Sequence, residues 1–517
     1  MKKIIAWDLG TGGSKASLYT EDGTCIEKMF VSYDTFYPHQ GWHEQKPEDW
    51  WNAIVKSTKA LIEKSGVDKE DITCCGISGH SLGVVCIAED GMLLNPSTPI
   101  WSDGRAVKQA DKFFESYDQN TWYMKTGNGF TPAFYTAFKL MWYRDMQPEL
   151  FEKIYKVIGT KDYVNFRMTG RLCTDPSYAS GSGVWNLNDW EYDIELIDAM
   201  GFSQEIFPEV IPSTGIVGQI LPEVAEEMGL SKNVQVVCGG VDNSCMALGA
   251  MAYKEGRVYN SLGSSSWIAV STMEPVLDIK AKPYVFTHVV PGYFASALCV
   301  TAGGTAFRWL RDQMGREFIR EGQEKGVDEY DLMTAEAEKS PIGANGLLFN
   351  PSLGGGMPMN KSYNLRGAFL GMDLMHTRED IIRSCMEGVT MGLRSCLDEL
   401  KKITPIGDEV LLVGGGSKSK FWRQIYADIY KITVLKSDVD QQAAALGAAA
   451  CAAVGTGLWD SFDKIDELHT IEERVRPIPE HVEKYDEIME MYLKATDMLC
   501  DWGDYVNEKR NNMGGQR

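Results

Sequence analysis

Two hairpins of one kind, set far apart in the chain, constrain this sequence more than any other feature. In the first, residues 4–8 and 15–20 read as strands around a glycine-rich turn, and residues 25–33 follow as a third strand after Glu21-Asp22-Gly23. Asp-Gly between β-like runs is a strong hairpin signal. In the second, residues 257–262 and 267–271 flank the turn Gly263-Ser264-Ser265-Ser266. A helix opens at Pro47, with Glu48 and Asp49 in its first turn, where proline and acids suit a helix start. Residues 72–78 and 83–88 read as strands again. Two mixed α/β units that each begin with such a hairpin predict two related lobes with a cleft between them. The expected boundary lies at residues 249–256. This gives an N-terminal lobe of residues 1–252, a C-terminal lobe of 253–480 and a charged helical tail of 481–517.

Composition narrows the possible partners. The net charge is −21, and no stretch has the basic stripe through which a protein displaces counterions from nucleic acid. The apolar runs fall short of a membrane span, and the first is broken by Asp8, unlike a secretory signal. The 12 cysteines are scattered without a C-x-x-C pair, which disfavours zinc and fits buried thiols in a reducing compartment. The expectation is a cytoplasmic protein with no nucleic-acid or membrane partner. In so acidic a chain, an anionic ligand has to be held locally by backbone N–H groups, hydroxyls and a metal ion.

Five glycine-rich turns could do this. Asp8-Leu9-Gly10-Thr11-Gly12-Gly13-Ser14-Lys15 nearly matches the dinucleotide fingerprint, but a strand follows where that fingerprint requires a helix. No G-x-x-x-x-G-K-[ST] motif occurs. What remains is a turn whose backbone can approach a phosphate, with Thr11 and Ser14 as hydroxyl donors, Lys15 as a charge and Asp8 able to hold hydrated Mg²⁺. The plain alternative is an ordinary hairpin turn. Cys238-Gly239-Gly240-Val241-Asp242-Asn243 ends a strand and presents a carboxylate, either as a base for an acceptor hydroxyl or as a helix N-cap. Val413-Gly414-Gly415-Gly416-Ser417 and Thr301-Ala302-Gly303-Gly304-Thr305 each lead from strand to helix. Counted with the Ser264 turn, a phosphate-binding cleft accounts for all five better than five unrelated turns do.

Polar and aromatic stretches supply candidates for the other ligand. Trp42-His43-Glu44-Gln45 and Trp101-Ser102-Asp103-Gly104-Arg105 combine rings that stack on a sugar's apolar face with groups that bind hydroxyls. Asp103 and Arg105 could equally form a buried ion pair. Trp50 and Trp51 read as core. His80 has no partner motif and reads as structural.

These motifs, in this order, resemble the FGGY carbohydrate kinase family and most of all its xylulokinase branch. The likeness runs from residue 4 to about residue 459. It includes Phe134 to Trp142, Lys161 to Gly170, Thr174 to Gly181, Arg366 to Gly371 and Ala443 to Ala450. The resemblance implies two ribonuclease H-like domains of the actin and hexokinase-like type closing over MgATP and a sugar or polyol. It implies Asp242 as general base, with Asp8 and Asp242 near Mg²⁺. It places Thr11, Gly12, Lys15, Gly263, Ser264, Gly303, Gly304 and Thr305 on ATP phosphates. Gly415, Gly416 and Ser417 go to the adenosine, and Glu44, His80, Ser81, Trp101 and Asp103 to the acceptor. A homodimer is an expectation at family level. Xylulokinases usually carry Met-His where this chain has Ser81-Leu82, and glycerol kinases carry Arg-Glu there. The reading is a kinase for a ketopentose such as xylulose. The alternatives are a kinase for another polyol or deoxy-sugar, or a catalytically silent sugar-binding regulator.

Overall fold

The computed structural model describes residues 1–263, 266–439 and 442–512. Ser264 and the last residues of the expected tail lie outside the described residues. The chain forms two seven-stranded sheets. In the first, Lys3–Gly10, Gly13–Thr20 and Cys25–Ser32 form an antiparallel meander. Ile72–Gly79 then pairs parallel to Lys3–Gly10, and Gln235–Val237 extends the parallel side. The second sheet repeats this order. Val258–Leu262, Ser266–Thr272 and Phe294–Val300 make the meander, and Glu409–Val413 and Thr433–Ser437 make the parallel side. The two hairpins read from sequence are thus the openings of two like sheets, and the α/β two-lobed class holds.

The burial of each strand follows its place. Lys3–Gly10 is central and covered on both faces, so Ile4, Ile5, Ala6 and Trp7 are all buried. Cys25–Ser32 is an edge strand that alternates exposed and half-buried residues and carries Glu27 and Lys28, a pattern that discourages edge pairing. The run at 83–88 departs from expectation. Only Val85–Ile87 is a strand, and it leaves the main sheet to pair with Lys156–Ile158. The cause is upstream, where Leu82 takes a left-handed φ of +61° and turns the chain away after Ile72–Gly79.

One crossing ties the lobes. The helix Asp242–Gly249 packs along the helix Ala443–Gly455. The latter comes late in sequence yet lies against the first sheet. A Cβ on Gly76 of that sheet would sit 2.2 Å from the Ala448 carbonyl oxygen. The helices meet just as closely, because a Cβ on Gly447 would sit 2.0 Å from the Cys245 carbonyl oxygen. The alanine run from 443 to 453 leaves this face nearly flat. The helix Pro479–Asn512 closes the second lobe, burying Tyr485, Ile488, Met489 and Tyr492.

Gly447→Ala should therefore force these two backbones apart. The expected destabilisation is about 1–3 kcal/mol, as for overpacked cores, and thermal unfolding should show a lower Tm than the parent. An unchanged Tm would mean the crossing has slack that the geometry does not reveal.

Candidate functional site

A cleft of about 950 Å³ lies between the lobes. Of the residues singled out in the sequence, Thr11, Lys15, His80, Ser81, Trp101, Asp242, Gly263 and Gly415 line it. Gly12 adjoins Thr11, and a Cβ there would meet nothing within 4 Å. Gly303, Gly304 and Thr305 start the helix Gly303–Met314 just behind the wall, and the Gly304 N–H donates to the Gly263 carbonyl at 3.0 Å. Gly416 packs on Leu262 and Ser417 is buried, so Gly415 is the open glycine of that turn. A second cavity of about 730 Å³, between Trp185–Ile194 and His288–Gly292 in sequence, contains none of the expected site residues.

Asp242 is set by a chain of buried contacts. Gly239 has φ +70°, and a Cβ there would lie 1.9 Å from the Ile77 carbonyl oxygen, so only glycine fits. The Asn165 amide donates to the Cys238 carbonyl at 2.9 Å, and the Val241 N–H donates to Ser177 Oγ at 2.9 Å. Ser177 Oγ donates to Asp175 Oδ2 at 2.6 Å, as does Ser213 Oγ at 2.7 Å. Asp175 is in turn paired with Lys161 at 3.0 Å, and Lys161 also meets Asp162. All three charged groups are buried. Sequence reasoning had Lys161 and Thr174 only as parts of a family pattern. Lys161 pairs with its neighbour Asp162 and with Asp175, and Thr174 donates to Asp162 at 2.8 Å, but no known motif spacing marks these pairs.

Asp242 opens its helix without capping it. Val241 holds the N-cap position with no side-chain bond, and Asp242 Oδ1 accepts from the Asn243 N–H at 2.8 Å. The N-cap alternative is therefore not what forms. Burial, and then the Asp8 carboxylate, push the Asp242 pKa up to about 7. Asp8 accepts from Ser78 Oγ at 3.1 Å and lies 3.6 Å from Lys15 Nζ. A buried carboxylate with a second carboxylate beside it suits a divalent cation. Among the described residues no cluster of three or more metal-ligating side chains occurs. That donor set fits Mg²⁺, which typically takes one or two carboxylates and fills the rest of its shell with water and phosphate.

The opposite end of the cleft is aromatic. Trp101 Nε1 donates to Thr11 Oγ1 at 2.9 Å, and His43 Nδ1 pairs with Ser102 Oγ at 2.8 Å. His80 bonds Thr160 Oγ1 at 3.0 Å, and burial, then the Lys139 cation, lower its pKa to about 3, so it stays neutral. Leu82 is buried beside it, with Cδ2 against the Gly181 backbone. Lys139, itself buried, donates to the carbonyls of Leu82 at 2.9 Å and Ile100 at 2.6 Å and so fastens both ligand loops. Glu44 and Asp103 do not line the cleft. Both are taken up by Arg105, whose guanidinium lies 4.0 Å over the Trp42 ring. The ion-pair alternative is the one the structure adopts, and Asp103 also holds the His43 N–H at 2.7 Å. Phe130, Trp267 and Tyr284 line the cleft without having been singled out, and Arg366, named only as the start of a family stretch, lines it too. Phe130 stacks on Tyr284 at 3.9 Å, a contact between the two halves of the chain that no local pattern signals.

Comparison with known proteins agrees with this architecture. The N-terminal domain of the FGGY family of carbohydrate kinases matches residues 3–249, and the C-terminal domain matches residues 258–456. A xylulose kinase of Bacillus subtilis (strain 168) is 31% identical over 513 residues, 99% of this chain and 100% of that one. A gluconokinase of the same organism is 28% identical over 503 residues, covering 96% of each chain. The solved structure of a ligand-bound xylulose kinase from Lactobacillus acidophilus superposes with a TM-score of 0.88 at 25% identity, covering 96% of this chain and 98% of that one.

The pairing of Asp8 with Asp242 gives a direct test. Replacing Asp8→Asn removes the like charge, so the Asp242 pKa should fall while burial keeps it above the ordinary carboxylate range. Difference infrared titration of each protein against its Asp242→Asn counterpart isolates that carboxyl. A pKa unmoved by Asp8→Asn would show that the two groups do not interact.

Proposed function

The chain belongs to the FGGY family of carbohydrate kinases and is a phosphotransferase, and from that premise we propose that it moves the γ-phosphoryl group of ATP to a hydroxyl of a small sugar, a ketopentose such as xylulose. One observation carries the reading. The uncapped, buried carboxylate of Asp242 lines the same cleft as Thr11, Lys15 and Gly263 and as Trp101, His80 and Ser81.

In this reading ATP phosphates lie along Thr11, Gly12 and Lys15 and against Gly263, Ser264, Gly303, Gly304 and Thr305, with adenosine toward Gly415, Gly416 and Ser417. Mg²⁺, held near Asp8 and Asp242, supplies charge neutralisation for the transferring group. Asp242 takes the proton of the acceptor hydroxyl as its oxygen bonds to the γ-phosphorus, the bond to the bridging oxygen breaks, and ADP leaves. A base with pKa near 7 suits this work at neutral pH. Lys15 balances charge on the phosphates, and Trp101 fixes Thr11. Retention of Asp242 and Asp8 argues against a silent binding regulator.

Leu82 favours a second reading, a kinase for another polyol, a deoxy-sugar or an aldonate. It stands where xylulokinases usually carry histidine and can neither donate nor accept a hydrogen bond. The gluconokinase relative and the cations Lys15 and Arg366 at the cleft bring acidic sugars into that set.

Asp242→Asn should bind ATP with near-parental affinity and turn over about 100- to 10,000-fold more slowly, the range for loss of a general base. Near-normal turnover would remove the assignment. For the acceptor, an unpaired buried hydroxyl costs about 1–3 kcal/mol, or roughly five- to 150-fold in kcat/KM. D-xylulose should therefore not exceed the best other ketose, polyol or aldonate by tenfold in an ADP-release panel. If it does, Leu82 has not altered the acceptor site and the xylulose reading stands unmodified.

A further inference from the structure

The cavity of about 730 Å³ lies behind the turn that carries Asp242 and shares no lining residue with the cleft. Its walls come from residues 156–213 and from residues 288–292, the turn between the strands Tyr284–Thr287 and Phe294–Val300 of the second sheet. Two of its residues hold the Asp242 segment from the rear. Ser213 accepts the Gly239 N–H on its carbonyl at 2.9 Å, and its Oγ donates to Asp175 at 2.7 Å. Val289 lies so close that a Cβ on Gly240 would sit 2.3 Å from Val289 Cγ1. Beside them, the Thr287 carbonyl accepts from Ser244 Oγ at 2.8 Å, within the helix that Asp242 opens. Whatever fills this cavity therefore presses on the residues that position Asp242.

The lining says what kind of ligand fits. Trp185, Trp190, Tyr192 and Phe207 supply rings, with Trp185 and Tyr192 5.3 Å apart and Tyr192 and Phe207 5.1 Å apart. Trp185 is 2% exposed, yet its Nε1–H has no acceptor, and the Tyr192 hydroxyl makes no hydrogen bond among the described residues. Donors left without acceptors call for a ligand that carries oxygens. The charged groups are already engaged. Lys156 Nζ donates to the Phe207 carbonyl at 3.2 Å, and Glu209 pairs with Arg171 at 2.8 Å. His288 bonds the Ala252 carbonyl through Nε2 and accepts the Val290 N–H on Nδ1, and burial lowers its pKa to about 4, so it stays neutral. Among the described lining residues no cation is left for a phosphate or carboxylate, and the exposed Glu191 repels both. Rings that stack on C–H faces, donors that need oxygen and no free cation describe a site for an uncharged sugar ring.

We propose that this cavity is a second carbohydrate site, taking an uncharged sugar in its ring form, and that its occupancy is transmitted to Asp242 through Ser213 and Val289. A sugar there fills the space behind the turn and holds Asp242 more firmly in place, so it raises kcat. Only this effect on rate rests on the kinase reading. Binding itself does not.

Methyl β-D-glucopyranoside, which is ring-locked and uncharged, is the probe, titrated into the full chain by ligand-observed NMR. The parent should bind it. Trp185→Phe, which keeps a ring and removes the donor, should weaken binding roughly fivefold, and Gln204→Trp, which blocks an exposed edge of the cavity, should weaken it further. Glucose 6-phosphate and indole should show no binding that Gln204→Trp removes. With ATP and the best acceptor of the panel at saturation, the glycoside should raise kcat about fivefold, the low end of allosteric couplings. Ser213→Ala should still bind the glycoside but show a smaller rise. A parent that does not bind, binding that both cavity variants leave unchanged, tighter binding of indole or the phosphate at this site, a kcat that is unchanged or falls, or a full rise in Ser213→Ala would each overturn the proposal. A parent that phosphorylates no acceptor in the panel would remove the kinase reading instead, and the binding measurements would then decide the second site alone.

Discussion

Two helices that can touch only because their contact residues are small hold the site together. Asp242–Gly249 ends the first half of the chain, and Ala443–Gly455 comes near the end of the second, yet they pack backbone to backbone under the first sheet. A Cβ on Gly249 would sit 1.8 Å from the Ala443 carbonyl oxygen. Ala443 and Asp242 both line the cleft. The pairs Gly249–Ala443 and Cys245–Gly447 run in opposite senses, so the helices are antiparallel, with Ala443 beside the C-terminal end of the helix that Asp242 opens. Larger side chains would pull Asp242 away from the turn at Thr11. The low complexity of the alanine run is thus a requirement of geometry.

The second dependence is electrostatic. Burying Lys161 with Asp162 and Asp175 is unfavourable unless each charge is fully bonded, and here each is. The Lys161 ammonium stays charged, its pKa driven well above the ordinary value because the pull of Asp162 and Asp175 outweighs its burial. That lattice reaches Val241 through Ser177, so the residue before Asp242 is fixed by a hydrogen bond whose acceptor is itself fixed. Asp242, by contrast, has a single bond from the Asn243 N–H and a like-charged neighbour. The rigid, satisfied charges lie behind the site and the unsatisfied one lies in it, as a proton acceptor requires.

Much of this was legible in the sequence, for physical reasons that can be named. The paired hairpins and the Asp-Gly turn were visible because turn chemistry is local. Asp242 was visible as a carboxylate between a glycine pair and a helix, but its two roles could not be separated, since an N-cap and a presented base use the same residue type. In three dimensions no cap bond forms, which removes the N-cap reading and leaves the base as the proposal. Glu44 and Asp103 misled because an acid near tryptophan suits a sugar hydroxyl and an arginine equally well. Arg105, between the Trp42 and Trp142 rings, takes both. Phe130 on Tyr284 and Val241 on Ser177 were illegible because the partners lie far apart in the chain.

The acceptor end of the cleft follows from the same division of labour. Its polar loops, around His80 and Trp101, belong to the first lobe and are fastened by Lys139. This is a buried lysine with two carbonyl acceptors and, among the described residues, no carboxylate in contact, and burial pulls its pKa down to about 7. Its apolar wall is shared, because Phe130 stacks on Tyr284 and Trp267 hangs from Tyr259 by a 2.9 Å bond. In the proposed reading a sugar there would be bonded by one lobe and covered by both. Under that reading, any movement between the lobes would change how well the acceptor is shielded from water without disturbing its hydrogen bonds. This matters for a phosphoryl donor, because water is always the competing nucleophile and only exclusion discriminates against it. With Leu82 held in a left-handed turn against Gly181, that end of the pocket would, in the proposed reading, recognise its ligand more by shape than by hydrogen bonding. Specificity should accordingly depend on which hydroxyls are absent from the acceptor as much as on which are present.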